Sequence, residues 1–400
     1  MSCAPARDPG NRSSVRVAIA SRIFEPEPSA ASFRLAALAN AFSEAGHEVS
    51  VLTVRPVRSQ RDDSDRNRRY RVRRFPVLRD RTGYVRGYLQ YMSFDVPLFF
   101  RVLFGPKRDL VVVEPPPTTG FFVRLATALR RTPYAYYAAD VWSDAAASTG
   151  AGGAVVTVVR SMERFALSGA RGVLSVNAGV SERVRELAPG SRIHTVGNGI
   201  DTKVFTVDGP RHQGGAYAIY SGTASEWQGA GVFIDALERV LDEHPGAKLV
   251  FLGQGSDWPE LQARAARLPA GAVEFVPTVP PATAAEWIRG AVVSLASIRP
   301  DSGYDFAFPT KVYASLACGT PVVYAGAGAV PEFLRTHQKD ARVGESVGYE
   351  VDTVAKALSR AFANPPSRTE RERLGVWVAE RVGLDAAARN AVRALEGHPQ

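Results

Sequence analysis

Cysteine is almost absent. Cys3 and Cys318 are the only two in 400 residues, which excludes a disulfide framework and a thiolate metal cluster and fits a reducing compartment. Histidine is sparse too: His47, His194, His212, His244, His337 and His398 are scattered, with no two at ligand spacing, so no metal site is readable. No apolar run reaches membrane-spanning length, and the most apolar stretch, 96–104, is broken by Arg101. The first fourteen residues, MSCAPARDPGNRSS, lack the apolar core of a secretory signal and read as a disordered leader. The NAD-type fingerprint G-x-G-x-x-G is missing; Gly253-Gln254-Gly255 is a lone G-x-G that a tight turn accounts for. These absences place the protein in the cytoplasm, with no permanently bound cofactor.

The chain is too long for one core, so two domains are expected. At 45% hydrophobic and 22% charged residues it has an ordinary globular composition. Its net charge of +9 is unevenly spread, with nine arginines from Arg55 to Arg74 and Asp62, Asp63 and Asp65 among them. Such a run is either a solvated loop or a surface for anionic lipid or a polyanionic acceptor. The aromatic, basic helix expected over 83–104 is open to the same two readings, core-facing or lying on an anionic membrane surface at the inner face of the cell. Charge alone does not make a nucleic-acid binder, and none is expected.

Strands and helices alternate along the chain. Residues 15–20 read as a strand, Ser29 as the N-cap of a helix with Phe33, Leu35, Leu38 and Phe42 on its apolar face, and 47–54 as the second strand. Strands at 109–114 and 133–138 follow, the latter running into Asp140, an acid where parallel sheets bind ligands. After an aperiodic linker over 202–215 the alternation repeats, and 369–395 reads as one helix.

Residues 301–334, DSGYDFAFPTKVYASLACGTPVVYAGAGAVPEFL, concentrate the chemistry. A strand over 291–298 leads into a loop with Arg299, Asp301 and Asp305. Thr310 is expected to cap a short helix that ends at Gly319 and Pro321, and Lys311 sits one residue inside it. Helix N-termini carry free N–H groups and partial positive charge, so a loop, a lysine and a glycine turn on one sheet edge suit a diphosphate. A structural crossover with an exposed lysine would show the same residues.

Several segments in order resemble the retaining GT-B glycosyltransferases of family 4, most of all the bacterial subgroup that makes exopolysaccharide and cell-envelope glycans. They are Phe24-Glu25-Pro26-Glu27-Pro28, Phe33-Arg34-Leu35, Gly46-His47-Glu48-Val49, Ala139-Asp140-Val141-Trp142-Ser143-Asp144, Asn198-Gly199-Ile200-Asp201, Pro309-Thr310-Lys311-Val312 and Ala317-Cys318-Gly319-Thr320-Pro321-Val322. The resemblance implies an α/β chain with two doubly wound Rossmann-like domains facing across a cleft. An acceptor-side domain would span 15–205, a nucleotide-sugar domain 206–368, and the terminal helix would pack back on the first. It implies metal-independent transfer of a sugar from a nucleotide diphosphate sugar to a sugar, lipid-linked or other hydroxyl acceptor, with retained configuration. It assigns Asp140 as catalytic acid, and Lys311, Thr310, Arg299, Asp305, Thr223 and Gln228 to the donor. Ser29, Arg34 and Asn198 fall to the acceptor side or phosphate loop, and no residue falls to a metal.

The chain departs from the family at defined places. Two glutamates eight positions apart, the second of which meets the nucleotide's ribose, are replaced by Phe306 and Ala314. The basic pair expected between Gly222 and Gly229 is missing, as is the glycine expected near Ser29-Ala30. Two alternatives follow: a non-catalytic scaffold or partner subunit that lost donor binding, and a sugar-nucleotide epimerase on the same fold.

Overall fold

The computed structural model describes residues 14–27, 29–57, 64–80, 85, 87–148, 152–302, 304 and 307–397. Residues 1–13 of the leader, Asp305, Phe306 and part of the arginine run lie outside them. Two compact units divide the chain. The first takes Met1–Val176, Val180–Val196 and Ala388–Gln400; the second takes Asn177–Gly179 and Gly197–Ala387.

The first unit opens with β1 (Arg16–Ala20), α1 (Ala30–Glu44), β2 (Glu48–Val54) and β3 (Arg71–Phe75). It continues through α2 (Tyr88–Phe104), β4 (Leu110–Val113), α3 (Pro117–Arg130) and β5 (Tyr134–Ala138). Then come α4 (Trp142–Ser148), α5 (Gly153–Ser168), β6 (Gly172–Ser175), α6 (Ala178–Leu187) and β7 (Ile193–Thr195). Its seven strands pair in parallel in the order β3-β2-β1-β4-β5-β6-β7. Strands covered on both faces carry unbroken apolar runs, and β4 (LVVV) and β5 (YAYYA) are buried at every position. The edge strand β3 reads RVRRF with no buried position, and charge there discourages pairing with another chain.

The second unit begins with β8 (Tyr217–Thr223), α7 (Gly231–Glu243), β9 (Lys248–Gln254), α8 (Trp258–Ala265) and β10 (Val273–Pro277). It continues with α9 (Pro281–Gly290), β11 (Val293–Ile298), α10 (Thr310–Ala317), β12 (Val322–Gly326), α11 (Val330–His337) and β13 (Gly344–Val347). It ends with α12 (Val351–Ala363) and α13 (Arg368–Arg381), and α14 (Leu384–Glu396) begins in it and passes to the first unit at Ala388. The strand order is β10-β9-β8-β11-β12-β13, again parallel. In both sheets the order reverses beside the first strand, where doubly wound folds open a crevice at the strands' C-terminal ends.

Three sequence expectations change. Thr310 is not the cap of α10: Pro309 holds that place in extended backbone, Thr310 is the first helical residue, and no side chain caps this end. Pro309 has no N–H and Val312 N–H bonds to the Pro309 carbonyl at 3.0 Å, so the N–H groups of Thr310 and Lys311 are left without a side-chain cap. The helix expected over 369–395 is two helices, because the chain leaves α13 to bridge Ile200. Ile200 N–H donates to the Val382 carbonyl at 3.1 Å and Leu384 N–H to the Ile200 carbonyl at 2.8 Å. Helix α13 is tied to the second unit by the buried Arg371, which donates to the Ala291 carbonyl (2.6 Å) and the Thr320 hydroxyl (3.0 Å). Only from Ala388 does the chain group with the first unit.

The G-x-G is more than a tight turn. β8 and β9 stay paired out to Gly222–Gly253 and Thr223–Gln254, and a Cβ on Gly253 would overlap the Gly222 carbonyl oxygen. Gly253 also has φ of 142°, a conformation that side chains disfavour. Gly253→Ala should therefore cost about 2 kcal/mol or more of unfolding free energy. Urea denaturation measures this, and an unshifted midpoint would show that the two backbones can part.

Candidate functional site

In the second unit a cavity of about 490 Å³ opens where the strand order reverses. Its floor is the C-terminal ends of β8 and β9, from Ser221 to Thr223 and from Leu252 to Gln254. Thr278 and Val279, just after β10, Ala284 and Ile288 of α9, and Thr310, Lys311 and Ala314 of α10 form its walls. Thus Thr223, Gln228, Thr310 and Lys311, far apart in sequence, line one cavity.

Lys311 is its electrostatic centre. Its Nζ donates to the Thr223 carbonyl at 3.0 Å and lies 3.4 Å from the centroid of the Tyr220 ring. Burial pushes this ammonium well below its ordinary range, and no carboxylate contributes to the shift. A half-buried cation held by a carbonyl and a ring face retains an attraction for anions. The N-terminus of α10, eight residues long and without a side-chain cap, adds backbone N–H donors beside it. Gln228 is buried and shapes the loop over the cavity, its Oε1 accepting from Ser225 N–H at 3.1 Å.

The first unit has a polar cluster at the corresponding end of its own sheet. Glu114, just past β4, pairs with Arg34 of α1 and accepts a bond from Ser21, just past β1, at 3.3 Å. Asp140, just past β5, keeps solvent access. Partial desolvation raises its carboxyl pKa, Arg34 opposes this, and Glu114 adds to it. The segment after Asp140 is fixed by Glu163, whose carboxylate accepts from Trp142 N–H (2.8 Å) and Ser143 N–H (2.9 Å). Buried Arg22 lies over the Tyr91 ring at 3.8 Å, and Asp95 accepts from the hydroxyls of Thr118 and Thr119 at 2.6 Å each.

The remaining expected site residues are placed as follows. Arg299 is exposed just past β11, its N–H bonded to the Trp227 carbonyl at 3.0 Å, and it does not line the cavity. Asp305 lies outside the described residues. Ser29 is the N-cap of α1, accepting from Ser32 N–H at 3.1 Å. Arg34 is buried in its ion pair. Asn198 sits between Gly197 and Gly199 in the second unit. Sequence reasoning missed Tyr220, Gln254, Glu114 and Glu163, since each acts through a partner distant in sequence. Part of the arginine run is internally neutralised: Arg68 pairs with Glu25 (2.7 Å), Arg74 with Asp65 (2.6 Å), and Arg79, beyond the run, with Glu27 (2.6 Å).

A lysine with a lowered folded-state pKa destabilises the folded protein below the unfolded pKa, because the folded form holds that proton less tightly. That penalty fades as pH rises through the lowered value, where the folded form loses its proton before the unfolded one does. Lys311→Met should accordingly leave unfolding free energy at pH 7 unchanged or raised by up to about 1 kcal/mol, with the difference shrinking at alkaline pH. Denaturation at two pH values tests this, and a clear loss of stability would mean that the carbonyl and ring contacts outweigh burial.

Comparison with known proteins gives consistent results. Residues 30–199 match a glycosyl transferase 4-like domain and residues 215–364 match glycosyl transferases group 1. A D-inositol 3-phosphate glycosyltransferase of Acidothermus cellulolyticus is 31% identical over 213 residues, 48% of this chain and 45% of that protein. A phosphatidyl-myo-inositol mannosyltransferase of Mycobacterium tuberculosis is 30% identical over 177 residues, 43% of this chain and 44% of that protein. The chain thus spans about half the length of the curated relatives it matches. A sucrose-phosphate synthase from Thermosynechococcus elongatus superposes with a TM-score of 0.69 at 15% identity, covering 96% of this chain and 98% of that one. HepE of Anabaena, solved with UDP-glucose, gives 0.62 at 14% identity, covering 96% and 99%. With two Rossmann-like units and matches to both family models along most of its length, the chain belongs to the GT-B glycosyltransferases of family 4.

Proposed function

We propose that this protein transfers a sugar from a nucleoside diphosphate sugar to an acceptor hydroxyl, with retention of anomeric configuration, in the assembly of a bacterial polysaccharide or glycolipid. The observation that carries the reading is Lys311: a desolvated ammonium beside an uncapped helix N-terminus, at a cavity large enough for a nucleotide. In this reading the diphosphate accepts from Nζ and from the first amide groups of α10, which stabilise the negative charge that grows as the sugar–phosphate bond breaks. The acceptor oxygen bonds to the anomeric carbon on the face the phosphate leaves, and its proton passes to the departing phosphate oxygen. No resident metal is needed for that step. Asp140 is assigned to the acceptor side, orienting the hydroxyl or stabilising positive charge at the anomeric carbon. The inositol-bearing acceptors in the relatives' names make a sugar or lipid-linked hydroxyl a reasonable acceptor class. A scaffold that had lost donor binding would have no use for a desolvated cation at this cavity.

A surface feature favours work at an anionic membrane face. Along α2, Leu89, Phe100 and Phe104 are exposed (68%, 51% and 77%), and the last two rings stack at 6.2 Å. At the same helix end Arg130 donates to the Val102, Leu103 and Gly105 carbonyls. Exposed rings beside a cation suit anionic lipid. No helix among the described residues is long and apolar enough to cross a membrane.

Lys311→Ala should weaken nucleoside diphosphate binding at least tenfold in titration calorimetry while the fold persists. Asp140→Asn should instead lower turnover more than donor affinity; a wild-type rate would make that acid structural. Phe100→Ser with Phe104→Ser should abolish sedimentation with phosphatidylglycerol vesicles. Equal sedimentation, or binding to phosphatidylcholine alone at the same level, would remove the anionic-surface reading.

A further inference from the structure

The wall of the cavity that a nucleotide's pentose would meet is apolar. Helix α10 rises 1.5 Å per residue, and residues three apart share a face. Ala314 therefore follows Lys311 on the side facing the cavity, and both residues line it. With phosphates at Lys311 and the helix N-terminus, the pentose, one ester bond away, comes against Ala314. That residue is 6% exposed and packs in a cluster with Ile219, Leu252, Ala285 and Ile288. Phe205, Val279 and Ala284 continue the apolar lining. No aspartate or glutamate is among the described residues that line the cavity, and a carboxylate is the acceptor best suited to a vicinal diol.

We propose that the donor is a 2′-deoxyribonucleoside diphosphate sugar, selected because Ala314 and its neighbours offer the 2′ position a hydrocarbon surface. The proposal rests on the cavity being the donor site. A hydroxyl moved from water against the side chains of Ala314 and its apolar neighbours gives up its acceptors and gains none from them, whereas a methylene gives up nothing and is better buried. A site built to bond a hydroxyl rejects the analogue lacking it by orders of magnitude; an apolar site shows the opposite and smaller preference. The 3′-hydroxyl, common to both kinds of nucleotide, still has Gln254 and Thr278 within the lining.

The test is calorimetric titration of the full chain with uridine, guanosine and adenosine diphosphates, each beside its 2′-deoxy counterpart, and with thymidine diphosphate. For the base that binds best, the deoxy form is expected to bind more tightly than the ribo form. Ala314→Glu should reverse the order, giving the ribo form at least a tenfold advantage. A ribo form that binds as tightly or more tightly to the wild-type protein overturns this inference while leaving the donor site standing. Absence of binding by every nucleotide removes the donor site itself, and this inference with it. The wild-type comparison decides by itself, so a misfolded variant does not blunt the test.

Discussion

An ammonium group in the wrong solvent is the constraint on which the second unit turns. Lys311 is held by a carbonyl and an aromatic face, and burial works against its charge. Neither partner carries a full negative charge, so the field of the lysine remains available to whatever enters the cavity. An anion that binds there recovers electrostatic energy the empty fold forgoes. This is the usual relation between a functional site and the stability of the fold around it.

The same topological device serves both units. Each sheet reverses strand order beside its first strand, and each gathers polar groups at that point from the ends of different strands and the segments that follow them. In the second unit these are Thr223, Gln254 and Lys311; in the first they are Ser21, Glu114 and Asp140. The buried strands supply a rigid frame, and these polar groups sit at its C-terminal edge.

How much of this was legible follows from the range of the forces involved. The strands showed because burial on both faces demands unbroken apolar runs, as in Val111 to Val113. The start of α1 was readable because Ser29 bonds an amide only three residues away. At α10 the local signal misled: proline, already fixed in φ, took the flanking position that a threonine hydroxyl was expected to fill. The element β13 went unread, since it has no buried position and carries a weak apolar pattern; α12 went unread although Val354, Ala355, Ala357 and Leu358 form a buried apolar face at helical spacing. The site was the least legible. Arg34 meets Glu114 across 80 residues and Lys311 meets Thr223 across 88, separations over which no periodicity carries information. What the resemblance added was the location of the loops, not the contacts they make.

The glycine contacts between β8 and β9 carry a consequence for evolution. Where Gly253 meets the Gly222 carbonyl and Gly255 meets that of Ala224, there is no side chain to vary. The loops beyond the two strands are also bonded to each other, Ala224 N–H to the Gln254 carbonyl at 2.8 Å. At these glycines the base of the pocket is main chain, closed to variation by substitution. Divergence in the pocket's shape is therefore left to the side chains around them, Thr223 and Gln254 on the strand ends and Ala314 on the helical side.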